Sequence, residues 1–108
     1  MVPGMIPLLS DEGDSVIRVF VLYDEEPDPQ GYAEHAELCR RVPGATFRHG
    51  RVFGSPMGEP PHRYYAEWEF SDMDGFRSAT ASDEFLATGR DARDRGLPRP
   101  TVEFLSLE

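Results

Sequence analysis

The stretch SVIRVFVLY, residues 15–23, decides the fold. It is rich in β-branched and aromatic residues, which predicts the first strand of a sheet. The two sides of this strand are both largely apolar, with Ile17, Val19, Val21 and Tyr23 on one and Val16, Arg18, Phe20 and Leu22 on the other. A strand with one solvated face normally alternates apolar with polar residues. We therefore expect both faces of this sheet to be covered.

The rest of the chain predicts three further strands and three helices. Asp28 before Pro29 is typical of a helix start, and Pro43-Gly44 ends that helix after about Val42. Strand patterns follow at 45–53 and 62–70, helices at 72–80 and 83–95, and a last strand at 101–108. Ser71 with Asp74 resembles a capping box, and Ser82 is a second helix start. The order β-α-β-β-α-α-β predicts an α+β fold, a four-stranded antiparallel sheet with helices on one face.

The length allows one domain. A chain of 108 residues that is 39% hydrophobic can bury one modest core. We interpret residues 1–14 as a flexible lead-in, removable through Ser10 with little loss of stability, and residues 15–108 as the folded domain. The sequence has neither a leader pattern nor an apolar run long enough to span a bilayer, so we expect a soluble, cytoplasmic protein.

The net charge and the residue composition argue against several partners and cofactors. A net charge of −9 argues against nucleic acid and against an anionic membrane surface. All 11 basic residues are arginine, so no side-chain amine can form a Schiff base. A single cysteine, Cys39, excludes an internal disulfide, and three histidines without metal-ligand spacing predict no metal site. We expect no cofactor.

The apolar second face of the first strand predicts a partner. Phe20 and Leu22, together with residues of the last strand, form a patch of a kind that soluble monomers rarely expose. Homodimers are the commonest soluble assemblies, so a second copy of the chain is the expected cover.

Two motifs resemble the EthD-like family. They are EHAELCRRVPG at 34–44, similar to that family's helix end, and YYAEWEFSDMDGF at 64–76, similar to its third strand and next helix start. The chain departs from the pattern at Glu37, where relatives commonly have proline. From about residue 16 to 108 the resemblance implies a dimeric α+β barrel, in which two ferredoxin-like sheets face each other across a cavity. Relatives of this fold include lactone isomerases, polyketide cyclases, cofactor-free monooxygenases and haem-handling enzymes, so the fold leaves the reaction open.

His35 lies within the motif, on the apolar stripe of its helix. That stripe comprises Tyr32, His35, Ala36, Leu38, Cys39 and Val42. Because the stripe packs on the sheet, the imidazole is expected to be partly buried. Two interpretations follow: a core histidine bonded to a backbone carbonyl, or a catalytic residue that contacts substrate.

Tyr65 and Glu67 form a second candidate pair on the third strand. Alternation puts them opposite Ala66 and Trp68, which look packed against the helices. In a cavity between sheets, a desolvated Glu67 would have a raised pKa and act as a general acid or base. The alternative is a structural ion pair with a strand arginine, Arg18 or Arg51.

The remaining site predictions concern residues that would contact a substrate in that cavity, namely Arg18, Phe20, Leu22 and Phe104. His49 lies on a predicted edge strand that exposes its polar side chains, His62 reads as a surface residue, and Cys39 as inert packing.

These residues favour two functions. One is a small cofactor-independent enzyme, an oxidoreductase or an isomerase or cyclase, which acts on an apolar oxygenated molecule by proton transfer. Aromatic and polyketide-like molecules are the substrates we expect. The other is a non-catalytic ligand-binding or accessory protein that supports an oxygenase system. Haem binding, a third hypothesis, would need one of the histidines as axial ligand.

Overall fold

The structure is a computed structural model that describes residues 14–108. The predicted lead-in, apart from Asp14, lies outside these residues, as does the truncation through Ser10. The strands are β1 (Ile17–Tyr23), β2 (Ala45–Arg51), β3 (Tyr64–Phe70) and β4 (Thr101–Ser106). The helices are α1 (Pro29–Cys39), α2 (Met73–Thr80) and α3 (Asp83–Arg95). No helix in this described part of the chain is long and apolar enough to cross a membrane.

The four strands form one antiparallel sheet in the order β2-β3-β1-β4. In the register, Val19 of β1 lies opposite Trp68 of β3 on one side and Phe104 of β4 on the other. The three helices pack on one face of this sheet, here called the helix face, and the opposite face is the helix-free face. The predicted α+β fold and element order are confirmed.

The core lies between the helix face and the three helices. Val19, Ala36, Trp68 and Phe70 are all buried there, and the Trp68 indole N–H donates to the carbonyl oxygen of Cys39 at 2.9 Å. Burial raises the pKa of the Cys39 thiol to about 12, so the thiol is protonated at neutral pH. The prediction that Cys39 is unreactive packing agrees with this environment.

One helix end agrees with the sequence prediction, and two others differ from it. Asp28 caps α1 by accepting from the Gly31 N–H at 2.7 Å, as predicted. The predicted end at Val42 is wrong, because α1 ends at Cys39 and the Val42 N–H bonds back only three residues in a tight turn before Pro43. The cap of α2 is Asp72 rather than Ser71.

The last strand places its side chains differently from the prediction. Phe104 lies opposite Val19, on the helix face, and its ring is 5.1 Å from the ring of Phe76. The prediction that it shares a cavity face with Phe20 is therefore wrong, because the register brings Glu103 and Leu105 to the helix-free face instead. β4 is an edge strand, with Phe104 65% exposed and Leu105 37% exposed.

Candidate functional site

The predicted catalytic residues lie on opposite faces of the sheet. Tyr65 and Glu67 alternate with the buried Ala66 and Trp68, so they lie on the helix-free face as expected. His35 is buried on α1, against the helix face. The structure thus does not bring His35 together with Tyr65 and Glu67, and the two groups must be considered separately.

Glu67 belongs to an ion-pair network on the helix-free face. The Arg48 Nε–H donates to Glu67 Oε2 at 2.9 Å, and Arg18 Nη1 lies 4.0 Å from Glu67 Oε1. Both arginines also pair with Glu69, at 2.8 and 3.0 Å. The other predicted partner, Arg51, lies 3.9 Å from Glu26 instead. Arg48, which the sequence did not suggest, is thus the main partner of Glu67.

The raised pKa predicted for Glu67 is not found. Burial acts to raise the pKa of this carboxyl, but hydrogen bonds from Tyr65 and Arg48 and the charges of Arg48 and Arg18 outweigh it and lower the pKa. Burial and the bond to Glu67 raise the pKa of Tyr65 to about 12. Glu67 is therefore held as a carboxylate, and the geometry favours the ion-pair alternative.

The predicted substrate contacts Arg18, Phe20 and Leu22 also lie on the helix-free face. All three are half-buried, and the ring of Phe20 is 6.3 Å from the ring of Tyr65. In a single chain they form a mixed apolar and charged surface beside the Glu67 network.

A cavity on the other side of the sheet contains His35. This α3 cavity, of about 430 Å³, lies between α3 and the helix face of β1 and β4. Its lining is mainly apolar, with Val19, Val21, Tyr23, Trp68, Phe85, Leu86 and Val102 among its residues. A volume of this size and an apolar lining with few polar groups are typical of small-molecule sites.

His35 is the buried histidine in the wall of this cavity. Its side chain is 5% exposed, and its Nδ1 lies 2.8 Å from Asp91 Oδ2 on α3. The partner is a carboxylate rather than the backbone carbonyl considered for a core histidine. No sequence pattern pointed to Asp91, because it lies 56 residues away along the chain.

Asp91 is itself fixed by a second ion pair. The Arg95 Nε–H donates to Asp91 Oδ2 at 2.7 Å, and Arg95 Nη1 donates to Glu34 on α1, also at 2.7 Å. Burial acts to raise the pKa of Asp91, but the bonds from Arg95 and His35 outweigh it and lower the pKa. These ion pairs link α1 to α3 and keep Asp91 ionised.

In the neutral form of the imidazole, the ionised Asp91 fixes which tautomer is present. A carboxylate only accepts hydrogen bonds, so the bonded Nδ1 must carry the proton. The Nε2 atom then holds the lone pair, and it has no hydrogen-bond partner within residues 14–108. A histidine held in this way by a carboxylate can accept a proton at Nε2, as a general base does.

The other polar clusters do not resemble a metal site. Within the described residues, no group of three or more His, Cys, Asp and Glu side chains could hold a metal ion. His62, whose side chain is 30% exposed, pairs with Asp24 through Nδ1 at 3.1 Å.

Comparison with known proteins gives information on the fold and on the general type of protein. No protein-family model matches this sequence, and a search among curated proteins gives no match either. A solved protein of the ethyl tert-butyl ether D (EthD) family from Bacillus halodurans is 29% identical, with a TM-score of 0.69 over 86% of this chain and 99% of that one.

Two more distant structures share the fold. A dimeric ferredoxin-like protein from Thermobifida fusca is 16% identical, with a TM-score of 0.60 over 86% of this chain and 92% of its own. SnoaB, a cofactor-independent oxygenase from Streptomyces nogalater, is 21% identical, with a TM-score of 0.55 over 88% and 94%. The chain is thus similar to an EthD family protein and has the ferredoxin-like fold that these structures share.

Proposed function

We propose that this EthD-like chain is a cofactor-independent enzyme that acts on an apolar, oxygenated small molecule bound in the α3 cavity. The observation that carries the proposal is the His35 imidazole, whose Nδ1 lies 2.8 Å from Asp91 at the wall of an apolar cavity of about 430 Å³. The similarity in fold to SnoaB, a cofactor-independent oxygenase, supports the general type.

The chemistry we propose is proton transfer next to a carbonyl. His35 Nε2 takes the proton of an acidified C–H bond, and the bonding electron pair moves onto the substrate carbonyl oxygen as an enolate. Asp91 stabilises the imidazolium that results, because its carboxylate already accepts the Nδ1 hydrogen bond at 2.8 Å. A substrate bound against the apolar lining would displace water, which strengthens this interaction.

The enolate can then react in three ways. Return of the proton from Nε2 to a different carbon gives isomerisation, and attack of the carbanion on a second carbonyl gives cyclisation. Attack on O2 as co-substrate forms a C–O bond, and the proton returned from Nε2 to the outer oxygen completes a hydroperoxide. Aromatic and polyketide-like ketones fit the cavity because its walls include the rings of Tyr23, Trp68 and Phe85.

The test is exchange of the transferred proton. The protein is incubated in D2O with a panel of lactones and polyketide-like β-diketones, and loss of the substrate C–H signal is followed by NMR. We expect His35→Gln to reduce exchange about 100-fold, the lower range for a general base. His62→Gln, which changes a partly exposed histidine outside the α3 cavity, is the matched control. Equal exchange by His35→Gln and wild type would refute the assignment of the base.

The structure also supports a second function, that of a non-catalytic ligand carrier. His35 is only 4% exposed, so a substrate reaches Nε2 only from within the cavity. Native mass spectrometry of protein purified from cell extract would show any bound ligand. A ligand retained by wild type and His35→Gln alike, with no exchange activity in either, would favour the carrier.

We further propose that the chain is a homodimer that buries the helix-free face, where Phe20 and Leu22 lie beside the Glu67 network. The dimeric ferredoxin-like protein of Thermobifida fusca supports this arrangement. Burying one such aromatic side chain contributes roughly 1.5–3 kcal/mol, so Phe20→Asp should dissociate the dimer. Sedimentation velocity would show it, and wild type sedimenting as a 12.2 kDa monomer at micromolar concentration would refute the proposal.

A further inference from the structure

A second cavity lies at the other end of the helix face. This α1 cavity, of about 360 Å³, opens between the start of α1 and the adjoining ends of β2 and β3. Its walls include Tyr32, His49 and Tyr64, with Pro27 and Pro29 beside them. Tyr32 lines this cavity and His35 lines the α3 cavity, and the centroids of their rings are 5.3 Å apart.

Three rings form an aromatic wall in this cavity. The centroid of Tyr32 lies 5.1 Å from that of Tyr64 and 5.1 Å from that of His49, and His49 and Tyr64 are 5.9 Å apart. His49 is half-buried rather than exposed, contrary to the expectation for an edge strand, because Tyr32 and Phe47 pack against it. The wall offers ring faces and edges to a flat molecule.

Two polar groups of the wall, the His49 imidazole and the Tyr64 hydroxyl, form a pair that can make further hydrogen bonds. His49 Nδ1 lies 2.6 Å from the Tyr64 hydroxyl oxygen. If Tyr64 donates to Nδ1, the Nε2–H of His49 remains a donor and the hydroxyl oxygen remains an acceptor. If Nδ1–H donates instead, the hydroxyl becomes the free donor and Nε2 the free acceptor. In both cases the pair offers one donor and one acceptor, which matches a hydroxyl group.

The charge at the cavity is balanced. Arg51 and Glu26 both line it and lie 3.9 Å from each other, so their charges largely cancel. Neither a carboxylate nor an ammonium ligand gains a net opposite charge there. A neutral molecule is therefore favoured.

We propose that the α1 cavity binds a neutral hydroxylated aromatic molecule, a phenol, whose ring packs on Tyr32 and whose hydroxyl bonds to the His49–Tyr64 pair. This site is distinct from the proposed catalytic cavity and does not depend on His35 acting as a base.

Phenol itself is the probe. In NMR spectra of the wild-type protein, we expect nuclear Overhauser contacts from the phenol ring to the methyl group of Ala33, which lines the α1 cavity, and none to Leu86, which lines the α3 cavity. Phenol should also bind more tightly than benzoate or benzylammonium. Contacts to Leu86 alone, no saturation at millimolar phenol, or tighter binding of either charged probe would overturn the proposal.

Two adjacent tyrosines supply a matched pair of variants. Tyr64→Phe removes the hydroxyl of the proposed site, whereas Tyr65→Phe removes one on the opposite face of the sheet. We expect Tyr64→Phe to weaken phenol binding about fivefold, the loss of one hydrogen bond, with Tyr65→Phe unchanged. Equal affinity in Tyr64→Phe and wild type, or equal loss in Tyr65→Phe, would overturn the proposal.

Discussion

Replacing Asp91 with asparagine tests the His35–Asp91 pair without a known substrate. The change keeps the shape of the side chain but removes the charge that accepts bonds from His35 at 2.8 Å and from Arg95 at 2.7 Å. A hydrogen bond to a charged group contributes about 1.5–3 kcal/mol when buried, and a surface ion pair under about 1 kcal/mol. His35 is buried, whereas the Arg95 side chain is 27% exposed.

We therefore expect Asp91→Asn to lower the free energy of unfolding by about 2 kcal/mol, with most of the loss from the histidine. For a domain of this size, that change corresponds to a melting temperature lower by about 10 °C. Urea unfolding followed by tryptophan fluorescence measures it, since the buried Trp68 is the single tryptophan of the chain.

The matched control is Asp94→Asn on the same helix. Asp94 is exposed and forms neither a hydrogen bond nor an ion pair within residues 14–108. It also lies near the C-terminal end of α3, where the helix dipole makes a negative charge unfavourable. This variant should be as stable as wild type or slightly more so. The reasoning is refuted if Asp91→Asn falls within about 0.5 kcal/mol of wild type, the range of ordinary surface changes.

The same variant should alter the tautomer of His35. In wild type, ¹⁵N NMR of the neutral imidazole should show the proton on Nδ1. The asparagine amide can donate to Nδ1 instead, which would move the proton to Nε2 and remove the lone pair there. A neutral wild-type ring protonated on Nε2 would contradict the assignment.

Three further predictions concern stability and reactivity. The thiol of Cys39, with a pKa raised to about 12 by burial, should react with a thiol reagent at pH 8 only at the rate of unfolding, and rapid labelling of the native protein would contradict this. Gly96→Ala should lower the free energy of unfolding by about 1 kcal/mol, because Gly96 ends α3 at φ 70°. Gly89→Ala inside the same helix should raise it by about 0.5–1 kcal/mol, since the added methyl group meets no neighbouring atom. Equal effects in urea unfolding would show that backbone conformation is not the cause. The pKa of Glu67 is lowered below its ordinary value of 4.5, so its stabilisation is present above that pH and is lost as the pH falls through the lowered value. Glu67→Gln should therefore be less stable than wild type at pH 7, with the difference shrinking below pH 4.5, and a difference that stays constant across this range would count against the ion pair.

The sequence predicted the fold because local signals agreed with one another. Alternation along β1 and β3 assigned Val19, Trp68 and Phe20 to the correct faces, and Asp28 and Ser82 cap their helices as expected. Such signals depend on neighbours one to four residues apart, which a sequence shows directly.

Less of the candidate site than of the fold could be predicted from the sequence. The bond between His35 and Asp91 depends on how α1 and α3 pack, and the choice of Arg48 over Arg51 as the partner of Glu67 depends on the register of β2 against β3. The face of Phe104 depended on the register of β4 against β1, since a shift of one residue reverses every side chain.

The edge position of β4 has a consequence for handling the protein. Its exposed Val102, Phe104 and Leu105 surround one charge, Glu103, in a strand whose outer backbone edge faces no other strand formed by residues 14–108. Short segments with high β-propensity and little charge on an open edge template intermolecular pairing and aggregation. The charge of Glu103 therefore opposes intermolecular pairing at this edge. Neutralising it, by mutation or by working at acidic pH, would favour precipitation of the folded protein even if its stability were unchanged.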